Sequence, residues 1–216
     1  MALVKGKVNQ NTTPPAGKGK PGEANCGELA ALLESAGASD RRHAAREMLH
    51  CPNAANALVS RLKREGEIAV REAILTSLIR LDDPSATAGL ADCLRSEDAA
   101  LRNEAIEALR ELAASGDQAN ALPPVLLSLL ADPDPDVRIF AVNIIESARH
   151  PDAERWLIEV IERDAHVNVC ATAVDLLCEV GTEAAIDSLL RLKARFVHDA
   201  YIQFASDLAL KRIRES

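Results

Sequence analysis

"DPDPDVRIFAVNII", residues 132–145, sets two Asp-Pro pairs ahead of an Arg and then runs into apolar residues at helical spacing. Val137, Phe140, Ala141, Ile144 and Ala148 fall on one face of a 3.6-residue helix, which predicts an amphipathic helix with a single buried stripe. Asp134 stands where a carboxylate meets the unpaired N–H groups and the positive end of that helix. Pro135 fits its first turn, where the missing donor matters least.

The pattern returns along the chain. With Arg138 as the reference, Arg41, Arg71, Arg102, Arg138, Asn168 and His198 follow at intervals of 30, 31, 36, 30 and 30 residues. Val70, Leu101, Val137, Val167 and Val197 stand one before the reference; Ala44, Ile74, Ala105, Ala141, Ala171 and Tyr201 stand three after it. Leu81, Leu112, Ala148, Cys178 and Leu208 stand ten after, and Glu67, Asp98, Asp134 and Asp164 form an acidic column four before. Breaks at Cys51-Pro52, Asp83-Pro84, His150-Pro151 and Gly181-Thr182 precede a second helix. Its stripe is Leu58, Leu90, Leu126, Leu157 and Ile186, followed four residues later by Leu62, Leu94, Leu130, Ile161 and Leu190. A helix pair therefore repeats five times. A sixth unit, Phe196 to Ile213, has one helix and three of the five aromatics, which are expected to cover the last core layer before the solvated end Lys211 to Glu215.

Such a pair cannot bury its stripe alone, so neighbouring pairs must cover it and the same positions must be apolar in every unit. The Arg and acidic columns are expected to link successive units. An exposed pair contributes only ~0–1 kcal/mol, so the apolar stack supplies most of the stability. The interval of 36 places an insertion of about six residues in "AASGDQANALPP", residues 113–124, read either as a longer turn or as a recognition loop.

Asp-x-x-Val-Arg-x-x-Ala at 134–141, followed by a Leu-rich second helix, resembles the HEAT repeat over about residues 38–213. The short period is similar to that of the HEAT-like repeats of phycobilisome lyases. The resemblance implies an all-α fold, a right-handed α-α superhelix (solenoid) of about five HEAT-like helix pairs plus a C-terminal capping helix. The domain is expected over residues 26–216, behind a flexible basic tail, 1–25, rich in Gly, Pro and Lys. Asn168 and His198 depart from the Arg column, and Asp40 replaces the apolar residue before Arg41.

Composition restricts function. The chain has 48% hydrophobic and 2% aromatic residues, suited to close-packed helices. Its net charge of −8 divides into +3 in residues 1–25 and −11 in the remainder, which argues against a phosphate-neutralising surface. The lone Trp156 sits in the acidic stretch "PDAERWLIEVIERD" and is read as core or repeat-boundary packing. Cys26, Cys51, Cys93, Cys170 and Cys178 are odd in number with no Cys-x-x-Cys, and are read as reduced and mostly buried. His43, His50, His150, His166 and His198 are dispersed, none followed by Glu, so the His-Glu pairs of the di-iron HEAT-like hydroxylases are missing. No nucleophile elbow, Cys/His pair, metal cage or cofactor motif is present, and catalytic, metal and cofactor residues are all read as none.

The functional lead is the second-helix face, which in HEAT arrays lines the concave side. Lys63, Asp92, Arg95, Ser128, Arg155, Glu159, Glu162, Asp187 and Arg191 are its candidate protein-binding residues, with Leu127 or Ile158 as anchors. The leading expectation is a cytoplasmic, bacterial-type, non-catalytic adaptor or scaffold for a protein partner, without a membrane span. The resemblance gives two alternatives: a bilin lyase or chromophore-handling subunit, and a DNA-binding HEAT-like protein.

Overall fold

In the computed structural model the described residues are 23–81, 83–115 and 122–215. They form helices and no strand: α1 (Glu23–Leu33), α2 (Ala38–Glu47), α3 (Ala54–Leu62), α4 (Ile68–Arg80), α5 (Pro84–Cys93) and α6 (Ala99–Ser115). There follow α7 (Leu122–Leu130), α8 (Pro135–Ala148), α9 (Ala153–Arg163), α10 (Val167–Val180), α11 (Ile186–Arg195) and α12 (Ala200–Glu215). Short 3₁₀ turns cover Met48–His50 and Glu183–Ala185. The expected tail lies outside the described residues except at its end, since α1 already begins at Glu23.

Local chemistry starts these helices where the sequence expects it. Asp134 accepts the Asp136 N–H and Asp83 accepts that of Ser85, in each case with Pro in the first turn. Asp98 likewise accepts the Ala100 N–H, whereas the Glu67 side chain makes no cap bond.

The helices stack as an α-solenoid. α2, α4, α6, α8, α10 and α12 pack successively in a first row; α3, α5, α7, α9 and α11 form a second row, each against the following first-row helix. α1 lies against α2 and the 3₁₀ turn, an additional half-unit ahead of the first pair that the Arg column does not mark. One apolar core runs through the stack, from Leu29 and Leu33 to Leu210 and Ile213. The columns through the fourth unit point inward: Ala44, Ile74, Ala105 and Ala141 on the first row, and Leu58, Leu90, Leu126 and Leu157 on the second, are fully buried.

The register of the last two units differs from the sequence reading, and hydrogen bonding shows why. The reference Arg donates to the carbonyl six residues earlier: Arg41 to Ser35 at 3.0 Å, Arg102 to Ser96 at 2.6 Å, Arg138 to Asp132 at 2.8 Å. In the fifth unit the residue in that place is Cys170, whose Sγ lies 3.4 Å from the Asp164 carbonyl. Val169, Cys170, Ala173, Val174 and Leu177 face the core, while Asn168 is exposed and Val167 only half-buried. In the sixth unit Ile202, Ala205, Ser206 and Ala209 face inward, which makes Gln203 the equivalent and leaves His198 exposed. The last two intervals are thus 32 and 33 residues, not 30 and 30. The second helix of the fifth unit shifts as well, burying Ala185, Leu189 and Leu192 and exposing Leu190.

Two further expectations are corrected. Tyr201 and Phe204 are 51% and 65% exposed, so they do not cover the last core layer; Ile202, Leu210 and Ile213 do. Cys26 and Cys51 are not reduced but joined as a disulfide, with Cα atoms 5.5 Å apart, because α1 brings Cys26 against the corner that follows the first 3₁₀ turn. Cys93 and Cys170 are buried thiols and Cys178 a half-buried one. Disulfides persist in oxidising compartments and are rare in the cytosol, so cysteine usage no longer argues for the cytoplasm. No described helix is long and apolar enough to cross a membrane.

Candidate functional site

The second-row face is built on links between units. In the first row Arg41 meets Glu65 at 2.8 Å, Arg71 meets Asp98 at 3.2 Å and Glu104 at 2.8 Å, and Arg138 meets Asp164 at 2.7 Å. The carboxylates belong to the next unit; Asp98 and Asp164 are members of the acidic column, whereas Glu65 and Glu104 are not. Burial opposes ionisation of Asp164, but Arg138 and the His166 N–H outweigh it and hold its pKa below the ordinary aspartate value. The fifth unit has no Arg in its reference place. Arg195, from the end of α11, reaches back instead and donates to the carbonyls of Ile161, Glu162 and Asp164 at 2.8–2.9 Å, and to Cys170 Sγ at 3.3 Å.

The sequence-selected residues lie along the second row, and all but Ser128 and Asp187 are joined into two ladders. Lys63 on α3 pairs with Asp92 on α5 at 2.6 Å; the bond raises the lysine pKa and lowers that of the aspartate. Arg95 meets Asp92 at 3.6 Å and donates through Nε to Asp132, after α7, at 2.9 Å. Farther along, Arg155 bridges Asp152 and Glu159 on its own helix, Asp152 raising its pKa most. Glu162 on α9 accepts from Ser188 at 2.7 Å and from Arg191 at 2.5 Å on α11, and these bonds lower its pKa, Ser188 contributing most. Ser128 and Asp187 stand exposed on α7 and α11.

Between the ladders the face opens. α3 packs on α5, α5 on α7 and α9 on α11, whereas a cleft of about 450 Å³ separates α7 from α9. Leu127, Leu130 and Ala131 form one wall, Glu159, Val160 and Arg163 the other; Arg138, Asp132 and Asp164 lie toward its end. Trp156 is only 2% exposed and forms part of the floor, its ring stacked on His150 with centroids 4.6 Å apart. Its indole is therefore core, shared with a smaller cavity of about 190 Å³ under α7 that Leu122 and Pro123 also line. Leu127 is 45% exposed at the rim, and Ile158 is half-buried against the core.

Of the residues that the sequence places on the second-helix face, Glu159 and Leu127 line this cleft; Leu130, expected in the buried stripe, lines it too, and Asp132 and Arg163 were not among the candidates. Asp132 was visible only as the first letter of the opening motif; its role depends on Arg95, 37 residues away. Of the insertion 113–124, residues 113–115 complete α6 and 122–124 open α7, and the rest lies outside the described residues. Among the described residues no group of three His, Cys, Asp or Glu side chains is arranged to hold a metal ion.

A family model described as HEAT repeats matches residues 27–110 and 123–203. A search of curated proteins gave no match. Among solved structures, Cex1p shares 14% identity with a TM-score of 0.50 over 88% of this chain and 44% of that one. The complex of CpcE and CpcF of phycocyanin lyase from Nostoc aligns at 16% identity and a TM-score of 0.36, over 98% of this chain and 100% of that one. An archaeal HEAT-like repeats protein from Thermococcus onnurineus aligns at 14% and 0.36, over 94% and 99%. These likenesses concern the fold alone. The matched segments and the repeated helix pairs agree: the chain belongs to the HEAT-repeat family.

Proposed function

We propose that this protein is a non-catalytic adaptor that holds a protein partner on its second-row face, with the α7–α9 cleft as the anchoring point. The interruption of the ladder carries this reading. Everywhere else on the row, charged side chains reach the neighbouring helix and neutralise one another; here they do not, and Leu127 and Leu130 are left beside a cleft of about 450 Å³. An apolar side chain of the partner enters between them. Lys63, Asp92, Arg95 and Ser128 on one side, with Arg155, Glu159, Glu162, Asp187 and Arg191 on the other, form a polar rim of mixed sign that orients it. A helix or loop with one apolar anchor and flanking charges of both signs has the matching chemistry.

Photo-crosslinking tests the assignment. A benzophenone amino acid at position 127 or 163 gives a discrete protein adduct in cells of the source organism, whereas the same group at Arg42, on the polar end of the array, does not. Leu127→Asp, at an exposed position, removes the adduct formed at 163 and leaves the helical circular dichroism unchanged. Adducts of equal yield at all three positions, or none at 127 and 163, refute the site.

A further inference from the structure

The two ends of the first row are unlike. α2 closes one end, and its outward side chains are polar: Ser39, Arg42, His43 and Arg46 are exposed. At the other, α12 is the last described helix of the row. On the side opposite its buried Ile202, Ala205 and Ala209 it exposes Tyr201 by 51%, Phe204 by 65% and Leu208 by 38%, with Val197 just ahead at 59%. An outer helix face left to water is expected to be polar, and this stripe is not.

The spacing of the stripe is informative. Val197, Tyr201, Phe204, Leu208, Lys211 and Glu215 alternate by four and three residues, the 3.5-residue seam by which one helix packs on another. The charges are unevenly placed: Lys211, Arg212 and Arg214 outnumber Glu215 at the C-terminal end, Arg212 being paired with Glu179, while Asp199 begins the helix and Asp175 accepts the Tyr201 hydroxyl at 2.8 Å near the N-terminal end. A helix with this distribution complements itself when reversed. We infer that α12 is the interface of a symmetric dimer with a second copy of this chain, the two α12 helices running antiparallel.

In that arrangement Phe204 of each copy lies against Leu208 of the other, and the Lys211 stem covers the Tyr201 ring, its ammonium reaching toward Asp175 and Asp199. Each contact occurs twice about the two-fold axis, as a closed isologous interface requires. A parallel pairing would instead bring the two basic ends together. The exposed parts of the four apolar side chains amount to roughly 400 Å² per copy, about half of what a standard interface buries, so the dimer is of the weak, concentration-dependent class. This surface lies on the first row and leaves the second-row cleft free.

Sedimentation equilibrium across a concentration series up to about 0.5 mM tests it. The weight-average mass of the wild type rises from 23.2 kDa toward twice that value, while Phe204→Glu, at an exposed position that leaves the helical signal intact, stays at one copy. Oxidative cross-linking fixes the direction: Phe204→Cys mixed with Leu208→Cys gives a disulfide-linked pair, and each variant alone gives no more than the wild type's own thiols. A wild type that remains monomeric throughout the series overturns the proposal, as does a dimer that survives Phe204→Glu. Cross-linking of each variant with itself in preference to the mixture overturns the antiparallel arrangement.

Discussion

Replacing Glu65 by Gln tests how the first units are held together. The Glu65 side chain is 1% exposed at the end of α3 and accepts from Arg41 and Arg61, each at 2.8 Å, and from the Glu67 N–H at 2.9 Å. Arg41, 8% exposed, has its remaining donors on the carbonyls of Ser35 and Ala36. These partners, Arg41 first among them, hold the Glu65 carboxyl at a pKa of about 2, against an ordinary 4.5. A carboxylate whose pKa is depressed by folding adds stability that is complete above the unfolded value and lost as the pH falls through the folded one. From 4.5 down to about 2, at about 1.4 kcal/mol per pH unit, the linkage is worth about 3 kcal/mol. Glu65→Gln keeps the shape but leaves two guanidinium groups facing a neutral amide. Urea unfolding followed by circular dichroism at 222 nm should show the variant less stable by about 3 kcal/mol at pH 7, with the gap narrowing below pH 4.5 and reduced to about a quarter by pH 2.5. Carboxylates remote from Arg41 and Arg61 titrate alike in both proteins and cancel in the difference. A gap that is absent at pH 7, or that stays constant from pH 7 to pH 3, refutes the account.

Glycine replacement should act with opposite sign at two helical positions. At Gly27, where an added methyl meets nothing within 4 Å, Gly27→Ala raises stability by up to about 1 kcal/mol through helix propensity. At Gly89 the methyl overlaps the Val59 side chain, with Cγ1 at 2.9 Å, and wedges α5 from α3; Gly89→Ala lowers stability by about 1–2 kcal/mol, read from the urea midpoint. The Arg195 contacts with α9 are partly exposed, so Arg195→Ala costs about 1–2 kcal/mol. Adding Cys170→Arg restores most of that loss, because it puts an Arg in the reference place, whereas Cys170→Arg alone sets two guanidinium groups against each other and destabilises. A double-mutant cycle without coupling between 170 and 195 refutes the equivalence of Cys170 and Arg138.

Periodicity was legible in this chain because stacking imposes the same demand on every unit. Ala44, Ile74, Ala105 and Ala141 are buried for one reason, and the reason recurs at nearly constant intervals. It failed where the anchor residue changed. Once the reference Arg gives way to Cys170 and Gln203, the reference column no longer reveals that the interval has grown to 32 and 33, and counting by 30 settles on exposed Asn168 and His198. A retrievable signal existed in the acidic residue that accepts an N–H two positions on: Asp132 from Asp134, Asp164 from His166. Aligning Asp164 with Asp132 gives the correct interval at once. The disulfide was hidden for a different reason. Cys26 belongs to a half-unit that the Arg column does not mark, so its nearness to Cys51 appears only when α1 is docked on the first pair.

The candidate site shows the same division between what a sequence records locally and what stacking adds. Charged residues on the second-row face were identifiable from helix phase alone, yet their number points in the wrong direction. Lys63, Asp92, Arg95, Glu162 and Arg191 are engaged with the neighbouring helix, so the charge there serves the array first and is available to a partner only at the cost of an ion pair. Ligands are better held where the array leaves its own surface unsatisfied. That occurs after the longest interval, 36 residues, where the pattern of pairing changes: Arg102 spends its donors on the carbonyls of Ser96 and Glu97, and Arg95 takes Asp132. The reference Arg thus makes no link from the third unit to the fourth, which Arg110 on α6 supplies through Ser147 and Glu146 on α8, and the next second-row contact, α7 with α9, is the one that opens. An interruption of the repeat, more than any residue within it, marks the place where this solenoid can hold something other than itself.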